Sequence, residues 1–301
     1  MKWLVGLMLA LVGCDQVYGL TDRGTDAALD ALPPDDLAID TAPGVCEPVA
    51  DPTGDNDTDA ILNQNDACPD LPDRGYNEDG DCTGDACDLC PQDATEVADT
   101  DGDQIGDPCD VSGTTSDIAR MEGFGDVDEI VPLVTGWMHD SLAGTIRTTT
   151  AAGTGRYAWT NYEISPPFLI ETQFRIPATS TMWTTGILFG AANNRDQTPD
   201  AYMLVISRAG AAAQVRLLHL TNGVSMSLNM DQAVTIEEVQ RLRIEVTNQS
   251  LSVTLRGEQT MSQAMFNLPM VIAPQSAFGI GVMGPALVTF DYLYEVHHRT
   301  D

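Results

Sequence analysis

The sequence predicts an all-β protein in which an irregular, repetitive segment precedes a C-terminal antiparallel β-sandwich. Three observations predict it. One acidic 12-residue cassette is written three times between residues 55 and 110, at a spacing of 22 residues. Cysteine keeps the same period: Cys46, Cys68 and Cys90 lie 22 residues apart, as do Cys87 and Cys109. After Cys109 cysteine disappears, aspartate thins, and short runs of apolar and polar residues follow one another between Gly, Asn and Pro turns. That last pattern is the one a sandwich needs, because each strand buries one face and wets the other.

In chain order, residues 1–13 read as an export signal. Lys2 precedes an apolar run from Trp3 to Val12 that is too short to span a bilayer. The run ends in Leu11, Val12, Gly13 and Cys14, small residues before a cysteine. This resembles the lipobox of bacterial lipoproteins. The resemblance implies cleavage before Cys14 and diacylation of its thiol. The protein would then be lipid-anchored in the bacterial cell envelope; the outer membrane or cell surface is favoured over the inner membrane, and the residues leave both open. Residues 14–45, rich in Ala, Asp, Thr and Pro, read as a disordered acidic tether. Setting Cys14 aside from the seven cysteines leaves an even number, consistent with three bridges in an oxidising compartment. The net charge of −31 lies mostly upstream of residue 118. It argues against a nucleic-acid partner, since phosphate binding needs a basic face.

The segment 46–112 holds the cassettes, at 55–66, 77–88 and 99–110. Oxygen-bearing side chains stand at positions one, three, five, nine and twelve of each copy. They are Asp55, Asp57, Asp59, Asn63 and Asp66 in the first, and Asn77, Asp79, Asp81, Asp85 and Asp88 in the second. The third has Asp99, Asp101, Asp103, Asp107 and Asp110. Carboxylates so close repel one another unless a divalent ion lies between them. Calcium takes six to eight oxygens, and a 12-residue loop with this stagger wraps one ion, so Ca2+ is the expected cofactor. An EF-hand needs glycine at position six, where this chain has Ala60, Cys82 and Gln104. Ten-residue gaps carrying Pro69, Pro72 and Pro91 also leave no room for paired helices. The other bland reading, a disordered acidic linker, fails to account for carboxylates and cysteines that share one period.

The runs G-D-A-C-D-L-C-P (84–91) and D-T-D-G-D-Q-I-G-D-P-C-D (99–110) resemble thrombospondin type 3 repeats. In that family D-x-D-x-D-G loops wrap calcium and disulfides staple successive cassettes. The resemblance implies the pairs Cys68–Cys87 and Cys90–Cys109, and leaves Cys46 and Cys82 for a third bridge. The first cassette departs from the pattern at Asn63 and lacks its glycines; the second begins with Asn77. The third is the best match. On this reading the repeats form a spacer that calcium stiffens, with the sandwich at its far end.

Residues 118–298 supply the strands. Phe168, Ile170, Thr172, Phe174 and Ile176 share one face, with Glu171, Gln173 and Arg175 on the other. Leu242, Ile244 and Val246 lead through residues 247–250 to Leu251, Val253 and Leu255, a hairpin with inward apolar positions. Further runs stand at 186–191, 201–208, 214–220, 278–283 and 287–296. The run F-L-I-E-T-Q-F-R-I, the hairpin and the closing G-I-G-V-M-G-P-A-L-V-T-F-D-Y-L-Y-E-V resemble concanavalin A-like jelly rolls of the laminin-G and lectin/glucanase type. That resemblance implies a fold whose relatives bind sugars, bind proteins or hydrolyse glycosides.

Nothing in these residues reads as catalytic. The glucanase run E-x-D-x-x-E is missing, and so are H-E-x-x-H, G-x-S-x-G, a P-loop and a dinucleotide fingerprint. Glu171 and Glu245 read as lone acids on a solvated sheet face, and His219 as a core or edge histidine. The expectation is a non-enzyme. Aromatics that could stack on a ligand are Trp183, in a polar and loop-like stretch, with Trp159 and Tyr157; Trp137 and Tyr202 read as core. The favoured function is a calcium-binding surface lipoprotein that displays a lectin-like binding or adhesion domain for carbohydrate or protein. A polysaccharide hydrolase and a purely structural envelope protein are the alternatives.

Overall fold

The computed structural model describes residues 50–298 apart from 73, 74, 76, 78, 96, 97, 125–129, 131–135, 142, 150–154, 178, 179, 181, 192–199, 223, 248, 270, 285 and 286. The expected signal at 1–13, the tether at 14–45, Cys14 and Cys46 lie outside the described residues. Among the described residues no helix is long and apolar enough to cross a membrane.

The sandwich begins with β1 (Asp117–Glu122), β2 (Trp137–Asp140), β3 (Thr145–Thr148), β4 (Arg156–Ile164) and β5 (Phe168–Arg175). A first meander follows in β6 (Met182–Ala191), β7 (Ala201–Ala209) and β8 (Ala212–Thr221), with the short β9 (Val224–Ser227) and β10 (Gln232–Val234) paired to β8. A second meander comprises β11 (Val239–Val246), β12 (Ser250–Arg256) and β13 (Met261–Asn267). The long β14 (Ser276–Met283) and β15 (Thr289–His298) close the chain.

Two antiparallel sheets result. One runs β13-β12-β11-β5-β15-β3-β2, with β1 also paired to β15; the other runs β10-β8-β7-β6-β14-β4. The chain crosses between sheets after β3, β4, β5, β10, β13 and β14, so β14 and β15 become interior strands of opposite layers. Period-two alternation puts Phe168, Ile170, Phe174, Leu242, Ile244 and Val253 on the inner face of the first sheet. Ile187, Phe189, Leu204, Ile206, Phe278 and Ile280 meet them from the second. The expected hairpin has its expected register, with Leu242 opposite Leu255 and Ile244 opposite Val253. The chain is thus an all-β sandwich as its patterning predicts. Alternation at β13 went unread: Ala264 and Phe266 point inward there on either side of exposed Met265.

Upstream, the described part of residues 50–112 is a succession of tight turns with one short 3-10 segment at Asn63–Asn65. Disulfides join Cys68 to Cys87 and Cys90 to Cys109, with Cα–Cα distances of 5.7 and 5.6 Å, the two pairs the resemblance implied. Cys82 is disulfide-bonded too.

The repeats do not stand clear of the sandwich as a free spacer. Cys90, Cys109 and Ile105 pack on the outer face of the first sheet against Leu169 of β5 and Tyr292, Tyr294 and Val296 of β15. Two arginines of β11 fix the same contact. Arg241 donates to the Gln92 carbonyl, and Arg243 donates to the Pro108 carbonyl at 2.7 Å. This docking also corrects the expectation for Glu171. It shares the covered face, is only 6% exposed, and accepts a 2.7 Å hydrogen bond from the Tyr292 hydroxyl. Glu245, beyond the cover, is exposed and paired with Arg243 at 3.0 Å.

Candidate metal sites

Each cassette closes on itself through the same hydrogen bonds. The side chain at position one accepts the N–H of position four: Asp55 from Thr58 at 2.7 Å, Asn77 from Gly80 at 2.8 Å, Asp99 from Gly102 at 2.7 Å. In the first and third copies its second oxygen takes the N–H of position six, from Ala60 at 3.2 Å and Gln104 at 2.9 Å. Position five accepts from position seven, with Asp59, Asp81 and Asp103 bonded to Ile61, Thr83 and Ile105. These are Asx turns, which short acidic side chains form without help from distant chain. They require a left-handed residue at position four, where φ is +69° at Thr58, +70° at Gly80 and +79° at Gly102. Glycine occupies that conformation without steric cost, which explains D-G-D in two copies.

Position twelve ties each loop to the next covalent link. One carboxylate oxygen of Asp66 accepts the Cys68 N–H at 2.8 Å, and one of Asp88 accepts the Cys90 N–H at 2.7 Å. Asp110 does the same with Ser112 at 2.9 Å. The turns thereby bring carboxylates together. Ligand atoms of Asp55, Asp57 and Asp59 lie within 4.8 Å of one another, as do those of Asp79, Asp81 and Asp88, and those of Asp99, Asp101 and Asp103. Oxygens on one calcium ion stand 2.3–2.6 Å from it, so opposite ligands are at most about 5 Å apart. The clusters have that dimension.

The oxygens not engaged with backbone are the informative ones. One oxygen each of Asp57, Asp66, Asp79 and Asp88, and both of Asp101, are buried with no hydrogen-bond donor. Asp79 is only 3% exposed. A buried carboxylate without donor or cation is costly, and the protein shows the strain in its acidities. Burial, reinforced by Asp81 and Asp88, pushes Asp79 up to about 7. Burial, with Asp81 and Asp93 adding to it, pushes Asp88 up to about 6. Burial likewise raises Asp66, with Asp59, Asp57 and Asp55 adding to it. Asp99 goes the other way, held down first by the N–H of Gln104. The residues present therefore fit a hard divalent cation: oxygen donors only, convergent, and with buried oxygens of Asp57, Asp79, Asp88 and Asp101 that have no hydrogen-bond donor.

Position nine has a different task. Asn63 accepts the Asn56 N–H at 3.1 Å and donates to the Asp51 carbonyl at 2.9 Å. Asp107 takes both the N–H and the hydroxyl of Thr100, at 2.9 and 2.8 Å. These two side chains bracket their loops, and Asp85 does not join the second carboxylate cluster.

The candidate ligand aromatics divide between faces. Trp183 is a strand residue and not a loop residue; it is 3% exposed and meets Phe174 edge-on in the core. Its alternation with Thr185, Ile187 and Phe189 was the overlooked signal. Tyr157 and Trp159 pack together on the opposite side of the second sheet with Leu188, Met203 and Val205, and both are buried. Trp137 and Tyr202 are core, as read. His219 is a half-buried strand residue, against the Tyr202 ring and 3.1 Å from the Asp200 carboxylate. On the outer face of the second sheet a cavity of about 530 Å³ opens between Thr184, Ser207, Gln214, Arg216, Ser225 and Ser227, with Met182 and Met283 as apolar walls. The sequence analysis did not single out any of these residues.

No family model and no curated protein matches the chain. Several solved structures are similar at low identity. The carbohydrate-binding module CBM66 from Bacillus subtilis is 14% identical, over 53% of this chain and 96% of its own, with a TM-score of 0.38. The CBM2 module of the evolved Dit protein from Lactobacillus casei BL23 phage J-1 is 8% identical, over 62% and 98%, at 0.44. The exoplasmic/lumenal domain of VIP36, in a Ca2+/Man3GlcNAc-bound form, is 11% identical, over 61% and 89%, at 0.43. At these identities and scores the likenesses say nothing of what this chain binds.

Proposed function

We propose that the chain is a calcium-binding surface lipoprotein that presents a lectin-like sandwich to a carbohydrate or protein ligand. The observation that carries the calcium part is the threefold recurrence of one turn that gathers carboxylates and leaves buried oxygens without donors. Asp57, Asp59, Asp66, Asp79, Asp81, Asp88, Asp101 and Asp103 would hold the ions, with Asp55 and Asp99 shared between ion and backbone. Calcium bound there supplies charge compensation; the chain supplies preformed turns and disulfides. The ligand surface of the sandwich would be the cavity on the second sheet, since the first sheet's outer face is partly covered by the third cassette. Its hydroxyls, amide and guanidinium suit a polyhydroxylated or polar partner. The lipid anchor would be Cys14.

Calorimetric calcium titration of the oxidised protein tests the first part. Two or three ions with dissociation constants on the order of 0.1–1 mM are expected. No heat at millimolar calcium overturns it. A glycan array probed with the wild type and with Arg216→Ala tests the second, the expected result being binding that the substitution abolishes. Failure of Cys14→Ser to alter membrane fractionation would remove the anchor.

A further inference from the structure

Asp117 opens β1 and belongs to the sandwich, yet it faces the third cassette. Its side chain is fully buried. Alternation along β1 places it on the same side as Met121, which packs on the docked Cys90–Cys109 staple. Two carboxylates of the cassette engage it directly. Its backbone N–H donates to Asp103 Oδ2 at 2.5 Å, and its carboxylate lies against that of Asp110. One oxygen, Oδ1, meets His298 Nδ1 at 2.9 Å across the β1–β15 pair. The other, Oδ2, is buried with no hydrogen-bond partner.

The charge at this point is unbalanced. Ligand atoms of Asp99, Asp101 and Asp103 lie within 4.8 Å of one another, Asp101 also feels the charge of Asp110, and Asp110 bears on Asp117. Among the described residues the imidazole of His298 is what meets Asp117 on the opposite side. Acceptor oxygens cannot face one another in a buried place without a proton or a cation between them. From this geometry we propose that Asp117 is a ligand of the third calcium site, so that one ion is held jointly by the cassette and by the first strand of the sandwich. The inference rests on the calcium reading above and extends it to a residue outside all three cassettes. It makes the ion a fastener between the two parts of the chain.

The test is calcium calorimetry on the oxidised wild type, Asp117→Asn, Asp101→Ala, the double variant, and His298→Ala. Asp117→Asn keeps the shape and removes the charge. It should weaken one site by about tenfold and leave the others unchanged. In the Asp101→Ala background, whose third site is already lost, it should have no further effect. His298→Ala removes the strand-pair contact but not the carboxylate, and should not weaken calcium. Near-UV circular dichroism in chelator should superimpose for all variants, which separates ligation from folding. Unchanged affinity in Asp117→Asn overturns this inference alone and leaves a shared proton between Asp110 and Asp117 as the explanation. Equal weakening in His298→Ala also overturns it, by assigning Asp117 to strand pairing. A wild type that binds no calcium overturns the calcium reading itself.

Discussion

Asp57, Asp66, Asp79 and Asp88 each give one oxygen to backbone and leave the other in a buried space without donors, and single substitutions should separate the two tasks. Asp101 makes the cleanest case, because neither of its oxygens has a hydrogen-bond donor. Asp101→Ala should reduce the calcium stoichiometry by one while leaving the turn intact, as read by calorimetry and far-UV circular dichroism. Thr58 makes the converse case. It holds φ of +69° where the other copies have glycine, a strain of about 1 kcal/mol for a residue with a Cβ. Thr58→Gly should therefore tighten the first site roughly fivefold in the same titration. At this scale the repeats were legible from sequence, because most of their bonds join residues within one cassette. The task of position nine was not, since an oxygen in the right place does not say which N–H will claim it. Asp117 was not legible either, because its partners in the cassette become neighbours only when the repeats dock.

The elements were read unevenly, for a physical reason. Strands such as β5, β7 and β11 sit mid-sheet and carry unbroken alternation or continuous apolar runs, so periodicity finds them. Strands β1, β2, β3, β9 and β10 are short or polar and owe their state to the strand beside them. The docking of the third cassette left no periodic trace; its apolar part is two cysteines and Ile105, and their partners on β5 and β15 lie more than 50 residues away. The contact is nonetheless a small core. Ile105→Ala should cost about 2–5 kcal/mol of its stability. Limited proteolysis is expected to cut that variant between residues 93 and 117 well before the wild type, with the sandwich left whole. Replacing both Cys90 and Cys109 by alanine opens a loop closed by a disulfide of sequence separation 19, a loss of about 3 kcal/mol by loop entropy. Urea unfolding followed by tyrosine fluorescence measures it through Tyr292 and Tyr294, which the staple covers.

As a whole the molecule joins a self-sufficient part to a dependent one. The sandwich has a large core drawn from both sheets, whereas the repeats have little apolar material beyond their cysteines and Ile105. Chelation should therefore melt the repeats first: two thermal transitions in chelator, with the lower one rising on addition of calcium and the upper one moving less. A single calcium-insensitive transition would contradict this division. The docked staple also decides where a mechanical load would travel. A pull arriving from upstream of residue 90 meets the Cys90–Cys109 patch before it meets β1. The patch spans β11, β5 and β15, three adjacent strands in the body of the first sheet. Tension would thus be spread as shear over several strands at once, and β1 would be shielded from being peeled off one bond at a time.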